Sequence, residues 1–357
     1  MNRRQFLRGA VALAVSSKLA RADQAAPRTL TFVHWSDIHW GSDQDAPAAW
    51  NEALDRGLQE NPEMAVLTGD HGDNGQGHGD FGERVRAFWG PALDRLQGQR
   101  VPFVLTLGNA DFRANYQTDP ANLAETANLY RSLLGSAYYL DDLGNGLQQR
   151  GGLEWLSLNT QIFSPKNRYP QAPDQATRSL DWLESQLRAA SLRPRVLLLH
   201  IPPTVDLYTG QPAWSAGPLR RFWSLIQAHP GPLTVLGGHF HRNEVHAWER
   251  SQGDVLTLIA GSLSRKYDYA PNWRQQRWKL DREGRLVQLD YQLCYPGQPD
   301  WSRNYRVEQA GRFLAQVDRQ AYLNDVFAHH PEVKDRWKEL KDQFWISSSL
   351  ERVPTTN

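Results

Sequence analysis

Along the first two-thirds of the chain, short apolar runs alternate with stretches of helical spacing. Residues 29–35, 64–68, 101–107, 153–158 and 195–199 are near-continuous apolar runs, the pattern of strands buried on both faces. Between them, residues 48–58 repeat Ala49, Ala53, Leu54 and Leu58 at helical spacing, and residues 85–96 also read as a helix. Residues 174–190 place Leu180, Leu183 and Leu187 on one helix face just before the strand at 195–199. Strand and helix in alternation predict an α/β fold. Farther on the chain turns strand-rich, at 233–236, 255–260, 276–280 and 286–293, and a turn containing Glu283-Gly284 separates the last two. This half predicts an antiparallel portion of the core. From Val307 the spacing of Phe313, Val317, Leu323, Phe327, Trp337, Leu340 and Phe344 predicts a helical appendage over residues 301–357, frayed at 353–357. No internal repeat or low-complexity segment interrupts the pattern.

The 357 residues, 40% of them hydrophobic, suffice for a large core and permit one big domain or two ordinary ones. With 40 basic and 39 acidic residues, the charge balance supplies no argument for nucleic acid or an anionic membrane as partner. The N-terminus changes the picture. Asn2-Arg3-Arg4-Gln5-Phe6-Leu7-Arg8 precedes a mildly apolar run, Gly9 to Val15, and then the small-residue site Ala20-Arg21-Ala22. That order is similar to a twin-arginine export signal, and the run is too short to span a membrane. Removal of residues 1–22 leaves a linker at 23–28 and 35 basic against 39 acidic residues, a mildly acidic mature chain expected in the periplasm or outside the cell. Cys294 is the one cysteine, so no intramolecular disulfide can form there, and stability must come from the core.

Five short segments carry the chemistry, each just past the end of an expected strand, where open α/β sheets build their sites. Asp37-Ile38-His39 sets a carboxylate and an imidazole on one side of extended backbone. Gly69-Asp70-His71-Gly72-Asp73 offers a carboxylate between glycines that let the chain turn tightly. Gly108-Asn109-Ala110-Asp111 presents an amide oxygen, and His200 ends the strand at 195–199. Taken singly, these four are explained as well or better by loop coincidences, Asx turns or a structural histidine. Gly237-Gly238-His239-Phe240-His241 is harder to explain as packing, because it aims two imidazoles the same way from glycine-flanked backbone.

In order, D-x-H, G-D-x-x-D, G-N-x-D, H and G-H-x-H resemble the motif set of the calcineurin-like metallophosphoesterases. Asn159-Thr160 at a strand end, the turn Ala270-Pro271-Asn272-Trp273-Arg274 and the expected C-terminal appendage are similar to the narrower acid sphingomyelinase-like phosphodiesterase group, over roughly residues 29–350. The resemblance implies a four-layer α-β-β-α sandwich over residues 29–300. It also implies two divalent or trivalent metal ions, of Fe, Zn or Mn type. One would be held by Asp37, His39, Asp70 and His241, and the other by Asp70, Asn109, His200 and His239, with Asp70 shared. Water activated between them would attack a phosphomonoester or phosphodiester in line. Nucleotides, polyphosphates and phospholipid head groups all fit that class. Asp73 would orient a ligand or water.

One position departs from the resemblance. Such families usually carry histidine where this chain has Ala110, and that imidazole stabilises the transition state or protonates the leaving group. General acid catalysis is commonly worth about 10²- to 10⁴-fold, so Ala110 implies a substitute donor, a leaving group that needs no proton, or weak activity. Candidate substitutes are His71 and His78, which are otherwise plain loop histidines. The alternative to an enzyme is a catalytically impaired homologue that binds metal or phosphate. Of the fourteen tryptophans, Trp35, Trp40, Trp214 and Trp273 lie near strand ends and would form either an aromatic wall for substrate or ordinary packing.

Overall fold

The structure, a computed structural model, describes residues 27–41, 46–72, 80–135, 138, 140–189, 191, 193–204, 212–250, 255–264, 271–282, 284–310, 313–315 and 351–352. The export signal, Asp73, His78 and the helical spacing beyond residue 315 lie outside the described residues. Among those described, no helix is long and apolar enough to cross a membrane.

Two seven-stranded sheets face each other. In the first, β1 (Arg28–Trp35), β2 (Met64–Leu67) and β3 (Phe103–Leu105) run parallel, and β10 (Trp273–Leu280), β11 (Leu286–Tyr295), β12 (Gln298–Ala310) and β13 (Phe313–Ala315) extend it antiparallel from β1. In the second, β5 (Leu153–Leu158), β6 (Arg195–Leu199), β7 (Leu233–Gly237) and β9 (Val255–Ile259) are parallel. Antiparallel β4 (Gly146–Arg150) and β8 (Glu244–Glu249) flank them, and β14 (Glu351–Arg352) pairs with β8. All of β2, β5, β6, β7 and β9 is buried, which is why these strands read as unbroken apolar runs.

Alternation along β1 decides which residues meet what. Phe32 turns inward and meets Trp155 of the second sheet edge-on, with ring centroids 6.3 Å apart. Val33 and Trp35 turn outward to helix α1 (Ala46–Gln59), where a side chain at Gly57 would collide with the Trp35 ring. Trp35 meets Trp50 of α1, and Trp50 stacks on Phe88 of α2 (Phe81–Gly98). Helix α3 (Pro120–Leu134) packs beside α2, and α4 (Ala172–Arg188) and α5 (Ala216–Ala228) pack together, α4 against β5. Helices outside two facing sheets give the four-layer sandwich.

The sheet interface is not uniformly apolar. Ser157 and Gln148 of the second sheet donate to the Leu105 carbonyl of the first, at 2.6 and 3.3 Å, and Thr68 donates to the Gly237 carbonyl at 3.2 Å. Such buried bonds fix one sheet-to-sheet register, since breaking any of them strands a polar group away from water.

One expectation is corrected, two elements that the sequence did not predict are added, and the packing reading of three tryptophans is borne out. Helical spacing from Val307 fails at once, because β12 runs through Ala310, pairs with β11 over Gln288↔Glu308 to Cys294↔Ser302, and β13 follows. A turn at Pro296-Gly297, with Gly297 at φ +71°, folds β12 back on β11, and main-chain pairing overrides a loose side-chain period. The stretch between β3 and β4 holds helix α3, and β8 is a strand although nothing in its sequence read as one. Trp35, Trp214 and Trp273 are core residues, at most 1% exposed, and only Trp40 is partly buried, so they do not form a substrate wall.

The strand β11 offers a direct check. Cys294 is 4% exposed opposite Trp273, and burial pushes its thiol up to about 12. A maleimide or a disulfide reagent at mildly alkaline pH should leave the native protein unlabelled and modify one thiol once denaturant is added. Rapid labelling of the native protein would displace β11 from the core.

Candidate metal centre

Five parallel strands from two sheets deliver the motif residues to one rim. Asp37 and His39 follow β1, Asp70 follows β2, Asn109 follows β3, His200 follows β6, and His239 and His241 follow β7. Beyond the strand ends the β1–β2 ladder persists in the loops, with the Asp37, His39 and Trp40 amides donating to the carbonyls of Gly69, Asp70 and His71 at 2.9–3.0 Å. In the second sheet the β6–β7 ladder persists in the same way, the Gly238 amide donating to the His200 carbonyl at 3.0 Å.

Backbone strain concentrates here. Of eight described non-glycine residues with positive φ, five are Asp37, His39, Asp70, His239 and His241, between +49° and +73°. Each such residue costs about 1–2 kcal/mol, so the surrounding contacts must over-determine the conformation. Gly108 shows how tight they are: a Cβ on it would lie 2.2 Å from Oδ1 of Asp70. On Gly238 it would lie 1.9 Å from Oγ of Ser36.

Each carboxylate commits one oxygen to the protein and turns the other to the centre. Oδ2 of Asp37 accepts from Ser36 Oγ (2.6 Å) and the His239 amide (2.8 Å). Its Oδ1 has no hydrogen-bond donor and faces the Nε2 atoms of His241, His39 and His200 at 3.3, 3.8 and 4.0 Å. Oδ1 of Asp70 accepts from the Ala110 amide at 2.6 Å, and Oδ2 stands 3.5 Å from His39 Nε2 and 3.2 Å from His200 Nε2. His200 Nδ1 donates to the Thr68 carbonyl at 2.7 Å, which fixes the tautomer and leaves Nε2 for the centre. His39 and His241 bring their Nε2 atoms within 3.1 Å. Two imidazole nitrogens that close must share a proton or turn their lone pairs toward one cation.

The donor atoms fall into two groups, Asp37, His39 and His241, and Asp70, His200 and His239, each within 4.8 Å of one another and able to hold a metal ion. Buried oxygen and nitrogen donors of this kind suit Fe, Zn or Mn. Asn109 is 5% exposed beside Asp70, between Gly108 and Ala110. The electrostatics match. Burial opposes ionisation of Asp37, but His241, His200 and His39 outweigh it and hold its carboxyl below the usual range. Burial likewise opposes protonation of His200, yet Asp70 and Asp37 raise it to about 9. The carboxylates thus draw positive charge to His200, and a metal ion would take the place of that proton.

His71 does not join either group. It is fully buried, stacked on Phe88 with centroids 5.7 Å apart and beside Trp89 and Tyr130, with Nδ1 3.1 Å from Asp111. Asp111 was quoted only as the end of a motif, yet it ties two site loops together. It accepts from the amides of Gly108 (2.7 Å), His71 (2.8 Å) and Gly72 (3.3 Å) and from the Tyr130 hydroxyl (3.2 Å). Burial works against its charge, but His71 and the Gly108 amide hold the carboxyl below its usual range.

A second network went unread in the sequence. Trp278 donates to Gln276 Oε1 (2.9 Å), Gln276 Nε2 donates to His34 Nδ1 (3.0 Å), and His34 Nε2 therefore donates to Thr68 Oγ1 (2.9 Å), which passes its own proton to the Gly237 carbonyl. Burial and Arg274 hold His34 well below its ordinary value, so it stays neutral. This chain ends on both Thr68, which orients His200, and Gly237, which precedes the paired histidines. Ser262 completes the support by donating to the Asp37 carbonyl at 2.7 Å. Ser36, His34 and Ser262 carry no motif spacing, so only the folded chain reveals them.

Paired carboxylates and imidazoles at the carboxyl ends of strands in a double-sheet sandwich define a metallohydrolase architecture. The chain belongs to the calcineurin-like phosphoesterase family, which it matches over residues 30–243. Similar solved structures include a dimetal phosphatase from Danio rerio, at 14% identity and TM-score 0.48, covering 77% of this chain and 98% of that one. The NAD nucleotidase of Haemophilus influenzae aligns at 10% identity and TM-score 0.39, covering 89% and 60%. The phosphopantetheinyl hydrolase of Mycobacterium tuberculosis aligns at 13% and 0.41, covering 66% and 91%. No functionally curated protein matches the chain.

Asp111 gives the test of the supporting shell. Asp111→Ala strands the buried amides of Gly108 and His71, the half-buried amide of Gly72 and the His71 ring, and should cost about 3–5 kcal/mol in denaturant unfolding. A loss under about 1 kcal/mol would show that the two loops hold their positions without it.

Proposed function

We propose that this protein hydrolyses a phosphate ester at a dinuclear metal centre, with Asp37, His39, Asp70 and His241 holding one cation and Asp70, Asn109, His200 and His239 the other. The observation that carries the reading is Asp70. Its Oδ1 is fixed by the Ala110 amide, and its Oδ2 lies between His39 and His200, at the boundary of the two donor groups, where a shared ligand has to be. Cations bound there would polarise phosphoryl oxygens and acidify a water. The chain's part is positional: Ser36 and the His239 amide aim Asp37, Thr68 aims His200, and Asp111 sets the loop that carries Asn109.

Ala110 supplies a backbone donor to Asp70 and no side-chain proton. His71 is engaged with Asp111 in the core, so it gives no support as a replacement acid. The reading therefore favours substrates with good leaving groups. Within the family we propose the acid sphingomyelinase-like group, supported by Thr160, whose hydroxyl accepts from the Ile201 amide next to His200, and by Asn272, whose amide donates to Ser262. A second reading, a homologue that binds metal or phosphate without efficient turnover, rests on Ala110 alone. We also propose export by the twin-arginine route, on the order of Arg3-Arg4, apolar run and Ala20-Arg21-Ala22. An N-terminal sequence of the exported protein that retains Arg3-Arg4 would overturn this.

Elemental analysis and a substrate panel decide between the readings. Two metal equivalents per chain and metal-dependent turnover of an aryl phosphate are expected with Mn²⁺ or Zn²⁺. Asp70→Asn or His239→Ala should then lower turnover by more than about 100-fold, since even outer partners of metal ligands are worth 10- to 100-fold. Metal bound without turnover of any monoester, diester or pyrophosphate favours the second reading, and absence of metal sinks both. Ala110→His should raise turnover of an alkyl ester, with its poor leaving group, more than that of an aryl ester, up to about 10²-fold. Equal gains on both would refute the missing-acid account.

A further inference from the structure

Where the edges of the two sheets meet, at β3 and β4, a cleft of about 300 Å³ opens between the carboxyl ends of α2 and α3. Its walls are Leu96, Val101, Phe103, Leu134 and Tyr138. The polar atoms deeper in are already committed to the fold: Gln148 Nε2 and the Tyr138 hydroxyl both donate to the Leu105 carbonyl, at 3.3 and 3.4 Å. Burial and the charge of Asp111 hold the Tyr138 hydroxyl well above its ordinary value, so it stays neutral. Close-packed proteins leave few voids larger than a water molecule, and this cleft reaches the lower end of the range for small-molecule pockets. At the roughly 30 Å³ that a water occupies in the liquid, it holds about ten non-hydrogen atoms, enough for a short chain and too few for a two-chain lipid.

Two arginines line the same cleft, Arg100 and Arg150. Arg100 stands just past α2, at the position where a helix usually ends on glycine. Its amide donates to the Gln97 carbonyl (3.0 Å), the Val101 amide donates to the Leu96 carbonyl (2.8 Å), and its φ is +56°. A long charged side chain there is held in a conformation it does not favour. Arg150 shares the inner face of β4 with the buried Gln148. Among the described residues the Arg100 side chain makes no hydrogen bond or ion pair, and Arg150 donates only to the Gln149 carbonyl, at 2.9 Å. No acid lines the cleft among those residues. The two helix ends supply about half a negative charge each, so two arginines leave an excess of about one positive charge. A guanidinium pairs with a carboxylate through two parallel hydrogen bonds, and the walls suit an aliphatic chain. Phe103 opens β3 and Asn109 follows its far end, so the cleft and the metal centre lie at opposite ends of one strand.

We propose that this cleft is a binding site for a small amphiphilic carboxylate, with a short aliphatic tail against the apolar walls and the carboxylate on Arg100 and Arg150. The site is separate from the metal centre and stands whether or not the centre turns over an ester. Calorimetry on the full chain, with and without added manganese, compares octanoate with octan-1-ol, hexanoate and octylammonium. Tryptophan fluorescence gives a second readout, because Trp89 stacks on Phe103 with ring centroids 5.7 Å apart. The wild type should bind octanoate with a Kd below about 100 μM, octan-1-ol at least about 10-fold more weakly, and octylammonium not at all. Hexanoate, two methylenes shorter, should bind about 10-fold more weakly than octanoate. Arg100→Gln and Arg150→Gln should each weaken octanoate about 10-fold and leave octan-1-ol within about 2-fold, and the double variant should bind the two alike. Manganese should change none of these affinities by more than about 2-fold. No saturable binding at millimolar octanoate, equal affinity of the wild type for octanoate and octan-1-ol, or undiminished octanoate binding in the double variant overturns the assignment. So does octanoate binding that appears only with manganese, which would make the carboxylate a ligand of the centre.

Discussion

Asp37 and Asp70 are buried almost side by side where the two sheets meet, and nearly every other feature of the rim follows from that fact. Two carboxylates at 0% and 2% exposure cannot both be charged without nearby positive charge. Four imidazoles surround them, and backbone amides hold the outer oxygen of each. The inner oxygens are left to whatever cation the centre takes up. His200 is drawn into that role by the carboxylates, while His239 is kept neutral. The protein has arranged one proton-holding nitrogen and several lone pairs around a common point.

Holding those side chains in place requires the sandwich itself. The Thr68 hydroxyl joins the sheets by donating to the Gly237 carbonyl, and its own carbonyl orients His200. Behind it, the neutral His34 passes a directed chain of hydrogen bonds from Gln276. On the other side, Asp111 fastens the β2 loop to the β3 loop. Left-handed conformations at five of the cluster residues are sustained by these contacts, since no local preference favours them.

Much of this was legible in the sequence because the parallel strands are buried on both faces and read as apolar runs that stop where the chemistry begins. Asp37, Asp70, His200, His239 and His241 were recoverable for that reason. Helix α3 was not, because Asn122 and Thr126 sit on its buried side and interrupt the apolar spacing, although Asp119-Pro120 is an ordinary helix start. Strand β8 was hidden differently. Its buried Glu244 and His246 satisfy each other and Arg242, so the core face of the strand looks polar. His71 seemed available as an acid while its neighbours were unknown. Only tertiary packing puts Phe88, Trp89, Tyr130 and Asp111 around it.

The cluster also spans the chain from Asp37 to His241, and this separation governs how the protein must assemble. Contacts between residues about 200 positions apart form late, because the entropy of closing so long a loop has to be met before they contribute anything. An early folding intermediate built from β1 to β3 contains four of the seven donors, Asp37, His39, Asp70 and Asn109, and one built from β5 to β9 contains the other three. Tight capture of metal is therefore a late event, reserved for chains in which both sheets have already docked.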